Sequence, residues 1–206
     1  MSERAALIED TILDLVFEVE GRQIPEDYRY LLWCALSATA PWLGAESATS
    51  IVGISIVRTN TETALLSHRS RMTLRLPQSR LDDARHLEGV RVRIGGDEIR
   101  IGPSRKRPIH ASPTIYSPLV VLDREEELGF SELLKAELQA RAPGCHAILG
   151  RRRSVRLENG SVNAFPVALH GCKPALSLQI QAVGIGRRRE VGCGVFVPHK
   201  KIENFE

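Results

Sequence analysis

The hydrophobic pattern changes period several times along the chain. Across residues 11–19 apolar side chains alternate at Leu13, Leu15, Phe17 and Val19, the two-residue period of a strand. Gly21 ends that run. Pro25-Glu26-Asp27 then predicts a helix start, with proline in the first turn and acids beside the positive end of the dipole. That helix would run to about Ala40, apolar on most faces, and stop before Pro41. Residues 51–58 and 70–76 read as strands, the second setting Met72, Leu74 and Leu76 against Arg71, Thr73 and Arg75. Residues 77–87 predict a short polar helix closed by Gly89. Alternating runs at 90–94 and 98–101 around Gly95-Gly96-Asp97 predict a hairpin. Residues 103–113 hold Pro103, Pro108 and Pro113 with Arg105, Lys106 and Arg107, the composition of a linker.

The pattern then starts again. A strand at 114–122 precedes an amphipathic helix at 130–142, with Leu133, Leu134 and Leu138 on one side and Ser131 as a cap near its start. Strands follow at 146–149, 154–157 and 162–169, the last two joined by the turn dipeptide Asn159-Gly160. A helix at 174–183, a glycine-rich segment and a strand at 194–197 close the chain. Each half reads β-α-β-β-α-β, which predicts an α+β chain of two tandem ferredoxin-like domains, residues 1–108 and 109–206. The repeat is one of element order, not of residues.

Charge adds a partner. The net formal charge of the 206 residues is only +3, but residues 1–50 hold 3 basic and 9 acidic side chains and residues 141–201 hold 11 and 2. Arg151, Arg152, Arg153, Arg156, Arg187, Arg188, Arg189, Lys200 and Lys201 dominate the basic end. Clustered cations suit a polyanion, because they release counterions condensed on phosphates. A solvated basic face is the alternative. The longest uncharged stretch, residues 30–45, contains Pro41 and has 16 residues, short of the roughly 20 a bilayer helix needs. The early acids Glu3, Glu9 and Asp10 do not fit a signal peptide, so a cytoplasmic protein without a membrane partner is expected. Cys34, Cys145, Cys172 and Cys193 lie in no zinc-finger or CxxC spacing and are expected as buried small thiols. No metal-ligand constellation emerges.

The segment Gly184-Ile185-Gly186-Arg187-Arg188-Arg189-Glu190-Val191-Gly192-Cys193-Gly194-Val195-Phe196 carries the most chemistry. Glycine permits positive φ and close backbone approach. Exposed N–H groups with three arginines would suit a phosphodiester backbone. The order helix, glycines, strand excludes a Rossmann fingerprint, and no Gly-Lys-Ser/Thr makes it a Walker loop.

This loop resembles the C-terminal glycine-rich loop of the RAMP superfamily. The chain is more closely similar to the sixth CRISPR-associated protein family, the repeat-processing endoribonucleases, and to its myxobacterial type I branch. Supporting segments are Leu15-Val-Phe-Glu-Val19 with Gly21-Arg-Gln-Ile-Pro25; Leu31-Leu-Trp-Cys-Ala-Leu36 with Pro41-Trp-Leu43; Arg69-Ser-Arg-Met-Thr-Leu-Arg-Leu-Pro77; and Arg151-Arg-Arg153. The resemblance implies paired ferredoxin-like (RAMP/RRM-like) domains. It also implies metal-independent cleavage of CRISPR precursor RNA within its repeats, with no cofactor. In that reaction the ribose 2′-OH attacks its own phosphate and leaves a 2′,3′-cyclic phosphate and a 5′-OH. Retention of the mature guide RNA and contact with other CRISPR effector subunits are compatible with it, and a non-catalytic RNA-binding RAMP subunit is the alternative.

Such chemistry needs in-line geometry, a base and acid, and a cation at the phosphorane. Many family members place a histidine near the start of the first helix, where this chain has Asp27-Tyr28-Arg29-Tyr30. Tyr28, Arg29, Tyr30 and His68 are therefore the catalytic candidates. Arg69 and Arg71 beside His68, the triplet Arg151, Arg152 and Arg153, and the loop residues Gly184, Gly186, Arg187, Arg188, Arg189, Gly192 and Gly194 are the RNA-binding candidates. If Arg151 to Arg153 open a strand, their side chains alternate and at most two face one groove. His199 is a further candidate for a phosphate contact; His86, His110, His146 and His170 are expected to be structural or solvated. With aromatics at 5%, extensive base stacking is not expected.

Overall fold

The computed structural model describes residues 11–59 and 62–199. Its first half runs β1 (Ile12–Glu20), β2 (Gln23–Pro25), α1 (Arg29–Thr39), α2 (Trp42–Ala45), β3 (Ser50–Ile54), β4 (Val57–Arg58), β5 (Thr63–Leu65), β6 (Arg71–Pro77), α3 (Leu81–Arg85), β7 (Arg91–Ile94) and β8 (Asp97–Pro108). The second runs β9 (Thr114–Val120), α4 (Glu127–Arg141), β10 (His146–Leu149), β11 (Arg153–Leu157), β12 (Gly160–His170), α5 (Pro174–Val183) and β13 (Val197–Pro198).

The first sheet has the order β3-β6-β1-β8-β7 and the second β10-β12-β9-β13, with β11 paired to another stretch of β12. Leaving out β7 and β11, each sheet runs second, third, first, fourth in chain order, and every pairing is antiparallel. The chain thus has tandem ferredoxin-like folds. A small sheet, β2-β5-β4, flanks the first.

Each sheet buries one face under helices. Leu15, Phe17, Leu74 and Ile99 meet Leu32 and Leu36 of α1. Ile115, Val167 and Leu169 meet Phe130, Leu134 and Leu138 of α4 and Ile180 of α5. Full burial of each such side chain contributes roughly 1.5–3 kcal/mol. A third cluster joins the halves: Leu119, Val121, Val155, Ala164, Val191 and Cys193, with Tyr30 and Trp33 of α1 packed against them.

Several elements depart from the sequence pattern. Pro25 does not open a helix; it pairs with Thr63 in the small sheet, and α1 begins at Arg29 with Tyr28 as its cap residue. The run at 51–58 breaks into β3 and β4, which belong to different sheets. The residues expected as a linker extend β8: Pro108, Arg107, Lys106 and Arg105 pair with Leu13, Asp14, Leu15 and Val16. The prolines fit because β8 lends only some of its N–H groups to β1. Ser131 lies inside α4, whose cap is Glu126. The final strand is shorter than expected, at Val197 and Pro198. Of the four cysteines expected to be buried, Cys34 is exposed and Cys145 half-buried, while Cys172 and Cys193 are buried. The Cys145 thiol donates to Cys172 Sγ at 2.8 Å, and burial with this contact pushes the Cys172 thiol up to about 12. Lys200 and Lys201 lie outside the described residues. Among the described residues no helix is long and apolar enough to cross a membrane.

Candidate nucleic-acid interface

A cleft of about 1060 Å³ opens between the halves. One wall is the passage from β2 into α1, with Glu26, Asp27, Tyr28 and Arg29; the other is Pro118 and Leu119 of β9 with Arg153, Ser154 and Arg156 of β11. Asp27 Oδ2 accepts the backbone N–H of Arg156 at 3.0 Å and ties the walls together. The first turn of α1 carries no acid of its own; Glu26 and Asp27, just before it, set carboxylates beside the positive end of its dipole at the cleft wall.

Tyr28 and Arg29 sit at the base of this cleft. The Tyr28 hydroxyl accepts from Ile54 N–H at 2.7 Å and donates to Ile54 C=O at 3.3 Å, and the side chain is buried. It therefore latches the end of β3 to α1, a structural engagement of the atom that a catalytic role would use. Arg29 stacks over the Tyr28 ring, its Cζ 5.7 Å from the centroid, and donates through Nη1 to Val52 C=O at 3.2 Å. Its guanidinium fills the space that a side chain at Gly192 would occupy.

Tyr30 faces away. It lines a second hollow with Trp33, Cys34, Glu158 and Arg188, because residues one apart on a helix diverge by about 100°. A hydrogen bond with Cys34, then burial, pushes its phenol up to about 12. That shift makes it a poorer base at neutral pH. His68 occupies an exposed turn, and its carbonyl accepts from Arg71 Nη1 at 3.0 Å. Arg69 is exposed, while Arg71 pairs with Glu18 at 3.4 Å. Neither His68 nor any other histidine lines the cleft. The four candidates read near α1 and β6 are therefore not gathered into one site; only Tyr28 and Arg29 share the cleft.

The glycine-rich loop runs from the end of α5 back to β9 and on to α1. Several of its N–H groups are spent on backbone carbonyls and do not face an open anion site. Ile185 N–H donates to Gly194 C=O at 3.1 Å, Arg187 to Val121 at 2.9 Å, Cys193 to Arg188 at 3.0 Å and Gly194 to Leu119 at 2.6 Å. Gly192 has φ +86° and Gly194 φ +67°, and at both a Cβ would collide with neighbouring atoms. Glycine at 192 lets the loop seat against α1 and β3, and glycine at 194 lets it close on the backbone of Ile185. Gly184 and Gly186 turn the chain at its entrance, also with positive φ. Arg187 is exposed and pairs with Asp123 at 2.6 Å; Arg188 is exposed near Glu190 at 3.7 Å. Arg189 departs from expectation. It turns inward, donates to Ala182 C=O at 2.7 Å, and burial together with Arg75 and Arg141 lowers its guanidinium to about 10.

Arg151, Arg152 and Arg153 remain as exposed cations, and none of the three has an ion pair or side-chain hydrogen bond among the described residues. All three line one shallow hollow on the second sheet, and Arg153 also lines the main cleft. The expected limit of two does not apply, because β11 begins only at Arg153.

A family model described as "Cas6 Crispr" matches residues 13–201. The chain belongs to the Cas6 family. The CRISPR-associated endonuclease Cas6 of Myxococcus xanthus (strain DK1622) is 32% identical over 187 residues, which is 90% of this chain and 81% of that protein. A solved structure described as "CRISPR associated protein Cas6" superposes with TM-score 0.65 at 12% identity, over 92% of this chain and 100% of that one. "An RAMP protein binding different RNA substrates" superposes with TM-score 0.64 at 11% identity, over 91% and 100%. The myxobacterial resemblance read from the segments is matched by the first relative, and the tandem fold by the other two.

Within this Cas6-family chain, four charged cleft groups were not singled out from the sequence as site residues: Glu26, Asp27, Glu62 and Arg156. Arg156 belongs to the basic end, and that charge was its only signal. Asp27 reads as a helix-start acid until β11 is brought against it.

Proposed function

We propose that this chain is an endoribonuclease that cuts CRISPR precursor RNA within its repeats, without a metal ion. The observation that carries the reading is Arg29, a guanidinium held between the start of α1 and the glycine-rich loop at the base of a cleft, in a chain of this family. The substrate's own 2′-OH is the nucleophile: it attacks the adjacent phosphorus in line with the departing 5′ oxygen, gives its proton to water, and the 5′ oxygen takes a proton from water as its bond to phosphorus breaks. Arg29 supplies positive charge where the phosphorane develops negative charge, the role in which a preorganised donor has most effect. The products are a 2′,3′-cyclic phosphate and a 5′-OH. Tyr28 positions Arg29 through its ring and through its grip on Ile54. Arg151, Arg152 and Arg153 hold the RNA backbone beside the cleft, with Arg187 and Arg188 at its far side and Arg69 and Arg71 as outlying contacts. Gly184, Gly186, Gly192 and Gly194 shape the loop. The division of the chain near Pro108 into catalytic and RNA-holding halves is part of the same proposal.

The test is incubation of native repeat RNA in EDTA beside the same RNA with a 2′-deoxy residue at the cut site. Cleavage of the ribose substrate alone, with a cyclic phosphate end, is expected; Arg29→Ala should slow it by about 10²–10³-fold. A non-catalytic RNA-binding RAMP subunit is the second reading, favoured because all six histidines lie away from the cleft lining. Tight binding of intact RNA with no product would establish that reading and overturn the first.

A further inference from the structure

The second sheet carries a face that its helices do not cover. Ile148 pairs with Ala168, Ala168 with Tyr116 and Tyr116 with Val197, one row across β10, β12, β9 and β13. Their neighbours in sequence, Leu149, Val167 and Ile115, point the other way into the core under α4 and α5, because side chains alternate along a strand. The row therefore lies on the helix-free face, and Ile148 is 53% exposed there. The rings of Tyr116 and His199 meet on it, centroids 5.3 Å apart and tilted by 54°.

Tyr116, Ile148, Ala168 and His199 floor a hollow of about 530 Å³. Its rim is Arg151, Arg152 and Arg153, exposed cations with no ion pair among the described residues. An aromatic ring beside unneutralised guanidinium groups is the combination that binds single-stranded nucleic acid: the base stacks and the phosphates meet the cations. The hollow also continues the cleft. Arg153 lines both, and Pro118, which lines the cleft, is two residues from Tyr116 on β9 and so on the same face.

We propose that this face holds one unpaired nucleotide of the RNA that leaves the cleft, its base on Tyr116 and its phosphates at Arg151, Arg152 and Arg153. This inference rests on the RNA reading above and adds a stacking position to it. One such position also accords with an aromatic content of 5%.

The probe is a short single-stranded oligoribonucleotide carrying 2-aminopurine, whose fluorescence is quenched when the base stacks. Quenching on binding is expected. Tyr116→Ala should remove the quench and weaken binding about tenfold, within the usual range for one stacked base, while Tyr116→Phe should retain both. Equal quench and affinity in Tyr116→Ala would overturn the subsite. The probe contains no repeat, so the two proposals fail separately. Stacking of the probe without cleavage of repeat RNA sinks the nuclease and leaves the subsite; cleavage without stacking does the reverse.

Discussion

The guanidinium of Arg29 lies against the bare Cα of Gly192, in the volume a Cβ there would take. Gly192 also has φ +86°, which L side chains adopt at a cost of roughly 1–2 kcal/mol. Gly192→Ala must therefore displace Arg29 and also move the loop away from Ile51, whose carbonyl is nearly as close. Single-turnover cleavage should fall by about 10²-fold, since small misplacements at a reacting centre have effects of that size. RNA affinity should change far less. An unchanged rate would mean that Arg29 is not the cation at the phosphorane.

Arg75 joins the two halves from inside. Its Nε donates to Asp14 Oδ1 at 2.8 Å, and its Nη1 donates to the carbonyls of Gln181 at 2.9 Å and Phe196 at 2.6 Å. The side chain is fully buried. Arg75→Met leaves Asp14 with Arg107 alone, at 3.0 Å, and two buried carbonyls without this donor. A loss of about 3–5 kcal/mol is expected, the usual result of breaking a buried pair from one side. Urea denaturation measures it; a loss below about 1 kcal/mol would show that the second pair and water compensate.

Arginines of the basic end should separate by salt dependence. Replacing Arg151, Arg152 or Arg153 by alanine should flatten the slope of log K against log salt by about 0.7–0.9 for each phosphate that the side chain neutralises. Arg189→Ala should leave that slope unchanged, because this guanidinium is bonded to Ala182 under α5. Filter binding over a salt series reads both. A slope change in Arg189→Ala would place that side chain on the RNA.

Alkaline pH should weaken the fold through its buried thiols. Burial pushes Cys193 up to about 12 from an ordinary 9.0, and Cys172 likewise, with Cys145 adding to the rise. A raised folded value means that the folded chain binds more protons than the unfolded one between those limits. The contribution is complete below about 9 and is lost as pH rises towards about 12. Arg189 acts oppositely: its folded value is lowered to about 10 from 12.5, so its contribution is present above the unfolded value and falls away as pH drops through about 10. Urea midpoints at pH about 8 and about 10.5 should therefore differ, and Cys193→Ala should reduce the difference. An identical difference in that variant would rule out Cys193 as a source.

Much of the architecture was legible because it is local. The alternation at Leu15, Phe17 and Val19 describes the helix-covered face of β1, and the hairpin of β7 and β8 follows from Gly95 and Gly96. The β-α-β-β-α-β order in each half was enough to give two sheets of the same strand order. The glycine-rich segment declared itself by composition, although its glycines serve close packing where open N–H groups were expected.

What only the tertiary structure decided are the second faces. Arg75 alternates with Leu74 and Leu76 as a polar residue should, yet it is buried, because the covering carbonyls belong to residues 181 and 196. Pro103 to Pro108 look like a linker until β1 supplies the partner strand. Tyr28 and Tyr30 are near neighbours on one helix start, and the cleft takes one while the other faces β11 and β12. Periodicity reports which face of an element prefers to leave water. What lies against the opposite face is set by chain about a hundred residues away, and no local pattern encodes that distance.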